Sequence, residues 1–233
     1  MTILENITEG VLTLFFPKLC LACGSNPPPQ EQDICIYCQY YLPKTEFHLD
    51  LENPFTERFW GRVKIEGGAS LYYFMKNGRT QKLIHNLKYK GKRKIGIKLG
   101  ELYGKDLRLA KGFENIDMIL PVPLHPKKEH SRGYNQCDPF ARGLSETMEI
   151  PWRKGILIKT VNNTSQTKMT RMERLENVRT TFKVNNPDQL RGKHVLIVDD
   201  VMTTGATLEA CAEKVLEIPH TKVSLATIAM AKR

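Results

Sequence analysis

The stretch His194-Val195-Leu196-Ile197-Val198-Asp199-Asp200-Val201-Met202-Thr203-Thr204-Gly205-Ala206-Thr207 constrains this chain more than any other. Val195 to Val198 is an apolar run, too short for a helix and rich in β-branched side chains. Such a run reads as a strand buried on both faces, as in a parallel sheet. The adjacent carboxylates Asp199 and Asp200 fall at its carboxyl end, the edge where open α/β sheets bind ligands. A turn of hydroxyl and glycine residues follows. Leu208, Cys211, Ala212, Val215 and Leu216 then recur at helical spacing.

The residue types in this stretch define a chemistry. Thr203, Thr204 and Thr207 supply hydroxyl donors, and Gly205 lets the backbone turn tightly or approach a ligand closely. Successive backbone N–H groups at the start of the next helix make an anion site that suits phosphate. Asp199 and Asp200 repel phosphate, but they can accept hydrogen bonds from sugar hydroxyls or face a divalent metal. Carboxylates beside a phosphate cradle point to a sugar phosphate, such as a ribose 5-phosphate group.

The Val-Asp-Asp-Val-x-Thr-Thr-Gly-Ala-Thr pattern resembles the PRPP (5-phosphoribosyl 1-pyrophosphate) loop of type I phosphoribosyltransferases. The resemblance implies that Asp199 and Asp200 take the ribose hydroxyls and form the catalytic pair. It implies that Thr203, Thr204, Gly205, Ala206 and Thr207 take the 5′-phosphate. An ordinary buried strand, turn and capped helix is the competing reading.

At 233 residues the chain has room for one substantial α/β domain and a small appendage. Its formal net charge of +10 suits a polyanionic partner such as nucleic acid, anionic lipid or a phosphorylated ligand. Met1 to Gly10 is acidic rather than basic, so a secretory leader is not expected. No apolar run is long enough to span a bilayer, which argues against an integral membrane protein. A disulfide framework is therefore not expected either.

Ile3, Leu4, Ile7, Val11, Leu12, Phe15 and Phe16 share one face of a short helix that reads as packing on the rest of the chain, with a membrane surface or a partner as the alternatives. Cys20-x-x-Cys23 and Cys35-x-x-Cys38 follow, two knuckles whose spacing suits a tetrahedral zinc site. With four protein ligands the site would be closed and structural. Redox-active or incidental cysteines are the alternative. Pro43 to Pro54 is polar and reads as a linker, which divides the chain into an N-terminal helix and Cys₄ zinc ribbon over 1–54 and an α/β domain over 55–233.

Within that domain, Val63, Ile65, Ala69, Leu71 and Tyr73 suggest a strand pair hinged at Gly67-Gly68. Leu83, Ile84 and Leu87, then Ile95, Ile97, Leu99 and Leu102, mark two helices. Between them, Lys88, Tyr89, Lys90, Lys92, Arg93 and Lys94 form a basic run with an aromatic residue. It reads equally as a DNA-binding element, with Tyr89 stacking on a base, or as a solvated loop.

Asp117 to His125 is a second strand with a proline-rich exit, and a loop of His130 to Gln136 leads to a helix through Phe140 and Leu144. This exit corresponds to the pyrophosphate loop of a phosphoribosyltransferase, which makes Pro123, Leu124, His125 and Arg132 candidates for that role. A structural role for His125 is at least as well supported. Ile156 to Ile158 is a third strand, and Val223 to Ala229 closes the chain as another. The polar stretch from Thr160 to Thr181, with Gln166, Lys168, Arg171, Arg174, Asn177 and Arg179, reads as a hood over the site or as a solvated helix.

Taken in order, several stretches resemble the ComF family of competence proteins. They are the Cys₄ knuckles, Leu87-Lys-Tyr-Lys-Gly91, Pro121-Val-Pro-Leu-His125, Arg132-Gly-Tyr-Asn-Gln136, Gln166 with Arg171 to Asn177, and Val198 to Thr207. Tyr134 stands where that family usually has phenylalanine. The resemblance covers nearly the whole chain. It implies a type I phosphoribosyltransferase-like parallel sheet flanked by helices, with an N-terminal zinc ribbon. It also implies a role in DNA uptake during natural transformation, handling incoming single-stranded DNA at the cytoplasmic face of the inner membrane. The partners expected are PRPP or another ribose phosphate, single-stranded DNA, and a helicase or channel of the uptake machinery. The cofactors expected are structural zinc, and magnesium bound with PRPP. The motifs leave turnover open. The alternative is an active phosphoribosyltransferase of nucleotide salvage or synthesis, using PRPP and an acceptor the sequence does not identify.

Overall fold

The computed structural model describes residues 18–29, 32–160 and 181–232. The amphipathic stretch through Ile3 and Phe16 and the hood residues Gln166, Lys168, Arg171, Arg174, Asn177 and Arg179 lie outside them.

The described residues build a parallel sheet of β1 (Gly67–Phe74), β2 (Met118–Pro121), β5 (His194–Met202) and β6 (Lys222–Ala231) in the order β1-β6-β5-β2. The two central strands are the longest, nine residues for β5 and ten for β6. Val195 to Val198 and Leu225 with Ala226 are fully buried, as a strand covered on both faces requires. The last strand of the chain is therefore an interior strand, between β1 and β5. Its register sets Ala226 beside Val198 and Thr227 beside Asp199.

Helices α2 (Arg79–Tyr89) and α3 (Arg93–Leu107) lie where the apolar spacing predicts them, with Leu83, Ile84, Leu87, Ile95 and Leu99 buried. The short α4 (Pro126–Arg132) and then α5 (Cys137–Met148) follow β2, and α6 (Ala206–Leu216) follows β5. Helices α3 and α5 pack backbone to backbone. Gly96, Gly100 and Gly104 repeat along one face of α3 and meet Pro139, Phe140 and Thr147 of α5, while Gly143 of α5 meets Ile97. A side chain at Gly100 or Gly143 would collide with a carbonyl oxygen of the opposing helix.

Two expectations from local pattern change in the tertiary structure, and one expected strand finds a separate partner. The strand pair proposed around Gly67-Gly68 is one strand, because Val63 and Ile65 precede it in a loop. The third strand, β3 (Leu157–Lys159), does not join the main sheet. It pairs antiparallel with β4 (Phe182–Val184), and Thr160 N–H donates to Thr181 O at 2.6 Å. This contact sets Thr160 beside Thr181. Finally, residues 43–54 lie against β1 rather than hanging free. Tyr73 N–H donates to Pro43 O at 2.8 Å, and Phe47 is buried. The buried Asn53 amide donates to the carbonyls of Phe47, Asp50 and Gly68. Its Oδ1 accepts from the N–H groups of Phe55 and Thr56. A polar side chain used this way looks like a linker residue in the sequence.

The cysteine knuckles sit on the outer side of α2. Asn86 Nδ2 donates to Leu21 O at 2.7 Å and Lys82 Nζ to Cys23 O at 3.0 Å. The helix α1 (Ile36–Tyr41) starts within the second knuckle, with Cys35 at its N-cap and Cys38 as its buried residue. Among the described residues no helix is long and apolar enough to cross a membrane.

Candidate functional site

The carboxyl ends of β2 and β5 and the start of α6 converge on Asp199 and Asp200. Both are buried. Asp199 Oδ1 accepts from the Asp200 N–H at 2.8 Å and from the Cys137 thiol at 3.3 Å. Burial, and after it the Asp200 carboxylate, push Asp199 up to about 7. Cys137, the first residue of α5, is held well above the usual thiol range by burial and by these two carboxylates, so it stands as a neutral donor. Cys211 of α6 is shifted the same way by burial and Asp199.

Asp200 has a different partner. Its Oδ2 lies 2.5 Å from Lys88 Nζ, which reaches in from the end of α2. Lys159 of β3 is half-buried, and desolvation lowers its pKa despite the attraction of Asp199. Lys88 thus brings a cation to the carboxylate pair from outside its own segment.

The phosphate turn has the backbone its sequence calls for. Gly205 adopts φ +86°, a left-handed conformation that side chains avoid, and a Cβ there would meet the Phe59 ring at 3.3 Å. Thr203, Thr204 and Thr207 are exposed around it, and Thr204 Oγ1 accepts from the Ala206 N–H at 3.4 Å. The first-turn N–H groups of α6 beyond Ala206 thus follow the end of β5 closely, with threonine hydroxyls beside them.

The exit of β2 approaches from the other side. Pro123, Leu124 and His125 are half-buried, and His125 Nδ1 accepts from the Lys127 N–H at 3.2 Å, capping α4. Asn135 ties this exit to the next loop. Its Nδ2 donates to Val122 O at 2.9 Å and its Oδ1 accepts from the Cys137 N–H at 3.1 Å. Arg132 donates to Gln136 Oε1 at 2.6 Å and places its guanidinium 5.0 Å from the Tyr89 ring centroid.

The basic run meets this loop directly. Arg93 lies 4.5 Å over the Tyr134 ring and donates to Gly133 O at 2.9 Å. Tyr89, Lys90, Lys92, Arg93 and Lys94 are exposed, whereas Lys88 turns inward to Asp200. The run thus turns one residue to the acidic pair and leaves the others at the surface. Cys137, whose thiol bonds Asp199, is a site residue that motif reading passed over. Cys137 carried one usable signal, since it directly follows the Arg132-to-Gln136 loop at the start of an apolar helix.

The four knuckle sulfurs of Cys20, Cys23, Cys35 and Cys38 lie within 4.8 Å of one another. Cys23 and Cys35 are 3.9 Å apart, close to the separation of about 3.8 Å that Zn–S bonds of about 2.3 Å impose on a tetrahedron. Cys20 Sγ also accepts the N–H groups of Ala22 at 3.4 Å and Cys35 at 3.2 Å, contacts that stabilise a thiolate.

Comparison with known proteins agrees with this architecture. Residues 135–233 match the phosphoribosyl transferase domain model. The chain is 33% identical to competence protein ComFC of Bacillus subtilis (strain 168) over 216 residues, 91% of this chain and 85% of that one. It is 31% identical to DNA utilization protein YhgH of Escherichia coli O157:H7 over 137 residues, 58% of this chain and 60% of that protein's length. The match thus spans less than two thirds of YhgH. Glutamine PRPP amidotransferase from B. subtilis, solved with ADP and GMP, superposes with a TM-score of 0.42 at 22% identity, covering 62% of this chain and 30% of that one.

The sheet, the β5 turn and the cysteine cluster together define a phosphoribosyltransferase-type domain with a four-cysteine appendage. The chain belongs to the ComF family, whose members include proteins named for competence and DNA utilization.

Proposed function

We propose that the turn after β5 binds the ribose 5-phosphate portion of PRPP or a related ligand, in a protein that handles incoming single-stranded DNA at the cytoplasmic face of the inner membrane. The observation that carries this reading is the convergence at one strand edge of buried carboxylates, an open helix start and the basic loop.

The division of labour follows from charge. The α6 N–H groups with Thr203, Thr204 and Thr207 take the 5′-phosphate, and Gly205 and Ala206 let its oxygens approach the backbone. Asp199 and Asp200 accept hydrogen bonds from the ribose hydroxyls. Arg132 and the backbone of Pro123, Leu124 and His125 face the pyrophosphate. Bound Mg²⁺ would offset the negative charge of ribose and pyrophosphate oxygens, and the hard carboxylate oxygens of Asp199 and Asp200 are donors of the kind that suit it. Cys20, Cys23, Cys35 and Cys38 would hold a structural Zn²⁺, fixing the ribbon against α2.

A second reading is turnover. The match to the phosphoribosyl transferase domain spans the acidic pair and the phosphate turn. A phosphoribosyltransferase would hold the ribose while pyrophosphate leaves and an acceptor attacks C1, with catalysis by positioning and charge stabilisation. Release of pyrophosphate in the presence of a nitrogenous base, lost in Asp200→Asn, would identify it.

The test of the main reading is fluorescence anisotropy with labelled single-stranded DNA across a salt series. Affinity should fall steeply with salt, by counterion release. It should persist in the Asp199→Asn/Asp200→Asn variant, which should lose PRPP binding. Absence of DNA binding at low salt would contradict the reading.

A further inference from the structure

The helix α1 presents an aromatic surface that nothing in the site above uses. Tyr40 is 80% exposed and Tyr41 55% exposed, with their ring centroids 4.9 Å apart. Tyr37 stacks beside Tyr41 at 4.4 Å, and the Arg79 guanidinium sits 4.8 Å over its ring. Grouped aromatic side chains of this kind, left in water, mark an interaction surface.

Helix α2 leads from that cluster to the acidic pair. Arg79 is its first residue and Tyr89 its last, which is about 16 Å at the rise of an α-helix. Lys82, His85 and Tyr89 are all exposed and fall on one face at spacings of three and four residues. His85 and Tyr89 stack at 4.9 Å, and Arg132 covers the same tyrosine. A groove of about 630 Å³ runs along this face between α2 and the first knuckle, lined by Leu19, Gln81, Lys82, His85 and Lys90 among others. In the last turn of the same helix Lys88 meets Asp200.

The charge is one-sided. Residues 67–100 contain nine lysines and arginines and no aspartate or glutamate. A protein partner with an apolar face would leave Arg79, Lys82 and Lys90 desolvated without counter-charges. A polyanion with flat bases satisfies both the cations and the rings. Aromatic platforms alternating with cations are how single strands are bound without sequence preference.

We propose that the exposed faces of α1 and α2 form a track for single-stranded nucleic acid that starts on the ribbon tyrosines and ends beside the ribose-phosphate site. Bases stack on Tyr40, Tyr41 and Tyr89, and phosphates lie against Arg79, Lys82 and Lys90. The ribbon thus does more than fold: it carries the outer stacking platform. The track rests on the DNA-handling reading and adds to it a surface, a direction and a terminus.

The experiment measures binding of an oligothymidylate of about 16 nucleotides, the upper end of single-strand site sizes, by anisotropy at fixed salt. Tyr40→Ala and Tyr89→Ala should each weaken binding about tenfold, the loss of one stacked base. Tyr40→Phe should bind as the parent does, because the ring and not the hydroxyl makes the contact. Lys222→Ala, at the amino-terminal end of the interior strand β6, should also leave binding intact. Tyr40 is exposed enough that its truncation should leave the melting midpoint unchanged. Binding by the parent protein that neither Tyr40→Ala nor Tyr89→Ala weakens would overturn the track and leave the DNA-handling reading standing. No binding by the parent protein would overturn both.

Discussion

Lys88 Nζ and Asp200 Oδ2 lie 2.5 Å apart, with the lysine side chain 23% and the aspartate side chain 6% exposed. This contact joins the basic loop after α2 to the carboxylates of β5. Because the aspartate is desolvated, removing the lysine strands a buried charge. Lys88→Met should therefore destabilise the protein by about 2 kcal/mol, below the 3–5 kcal/mol seen for fully buried pairs because solvent reaches the lysine. Adding Asp200→Asn should recover most of that loss. Urea titration of the two single variants and the double variant closes the cycle, and additive losses would mean the pair is not coupled.

The other carboxylate sets a pH dependence. Asp199 is pushed up to about 7 from an ordinary value of 3.8. The folded protein thus keeps a proton that the unfolded chain has released once pH passes about 4. Stability should fall as pH rises from about 4 to about 7, by up to roughly 4 kcal/mol, and level off above that. Asp199→Asn keeps an Oδ1 acceptor for the Asp200 N–H and the Cys137 thiol while removing the titration. It should flatten the profile and stabilise the protein at pH 8. Melting midpoints of parent and variant across this range provide the check.

The cysteine cluster makes a prediction about metal. If Cys20, Cys23, Cys35 and Cys38 hold Zn²⁺, chelation should release it and lower the melting midpoint, since α1 buries only Cys38 and leaves Ile36 and its tyrosines exposed. Cys38→Ser should purify depleted in zinc. A protein that is zinc-free as isolated, with an unchanged midpoint after chelator, would contradict this account.

Helix packing offers a test independent of ligands. Gly100→Ala would gain up to about 1 kcal/mol of helix propensity but drives Cβ into the Phe140 carbonyl, so a net loss of about 2 kcal/mol or more is expected. Gly91→Ala has open space around it but sits at φ +63°, and should cost only about 1 kcal/mol. Thermal denaturation should rank Gly100→Ala well below Gly91→Ala.

Much of the central strand and its turn was legible because both are local. Val195 to Val198 announces burial on two faces, and the residues from Asp199 to Thr207 carry their chemistry in their order. What the sequence does not carry is adjacency. Nothing local sets β6 between β1 and β5, since an apolar run signals burial and not its neighbours. The partner of Lys88 was hidden for the same reason, because Asp200 is remote in sequence and a lysine in a basic run looks solvated. Asn53 looked like a linker residue because side-chain bonds to backbone carbonyls leave no periodic trace. The glycine repeat of α3 was visible as Gly96, Gly100 and Gly104, but its meaning needed α5 beside it.

The most direct test of the central claim is calorimetric titration of PRPP with Mg²⁺ into the zinc-loaded protein, with Asp199→Asn/Asp200→Asn as the control. The account predicts saturable binding in the parent protein and none in the variant. Binding that is absent from the folded parent, or equally tight in the variant, would contradict the assignment of the β5 turn as a ribose-phosphate site.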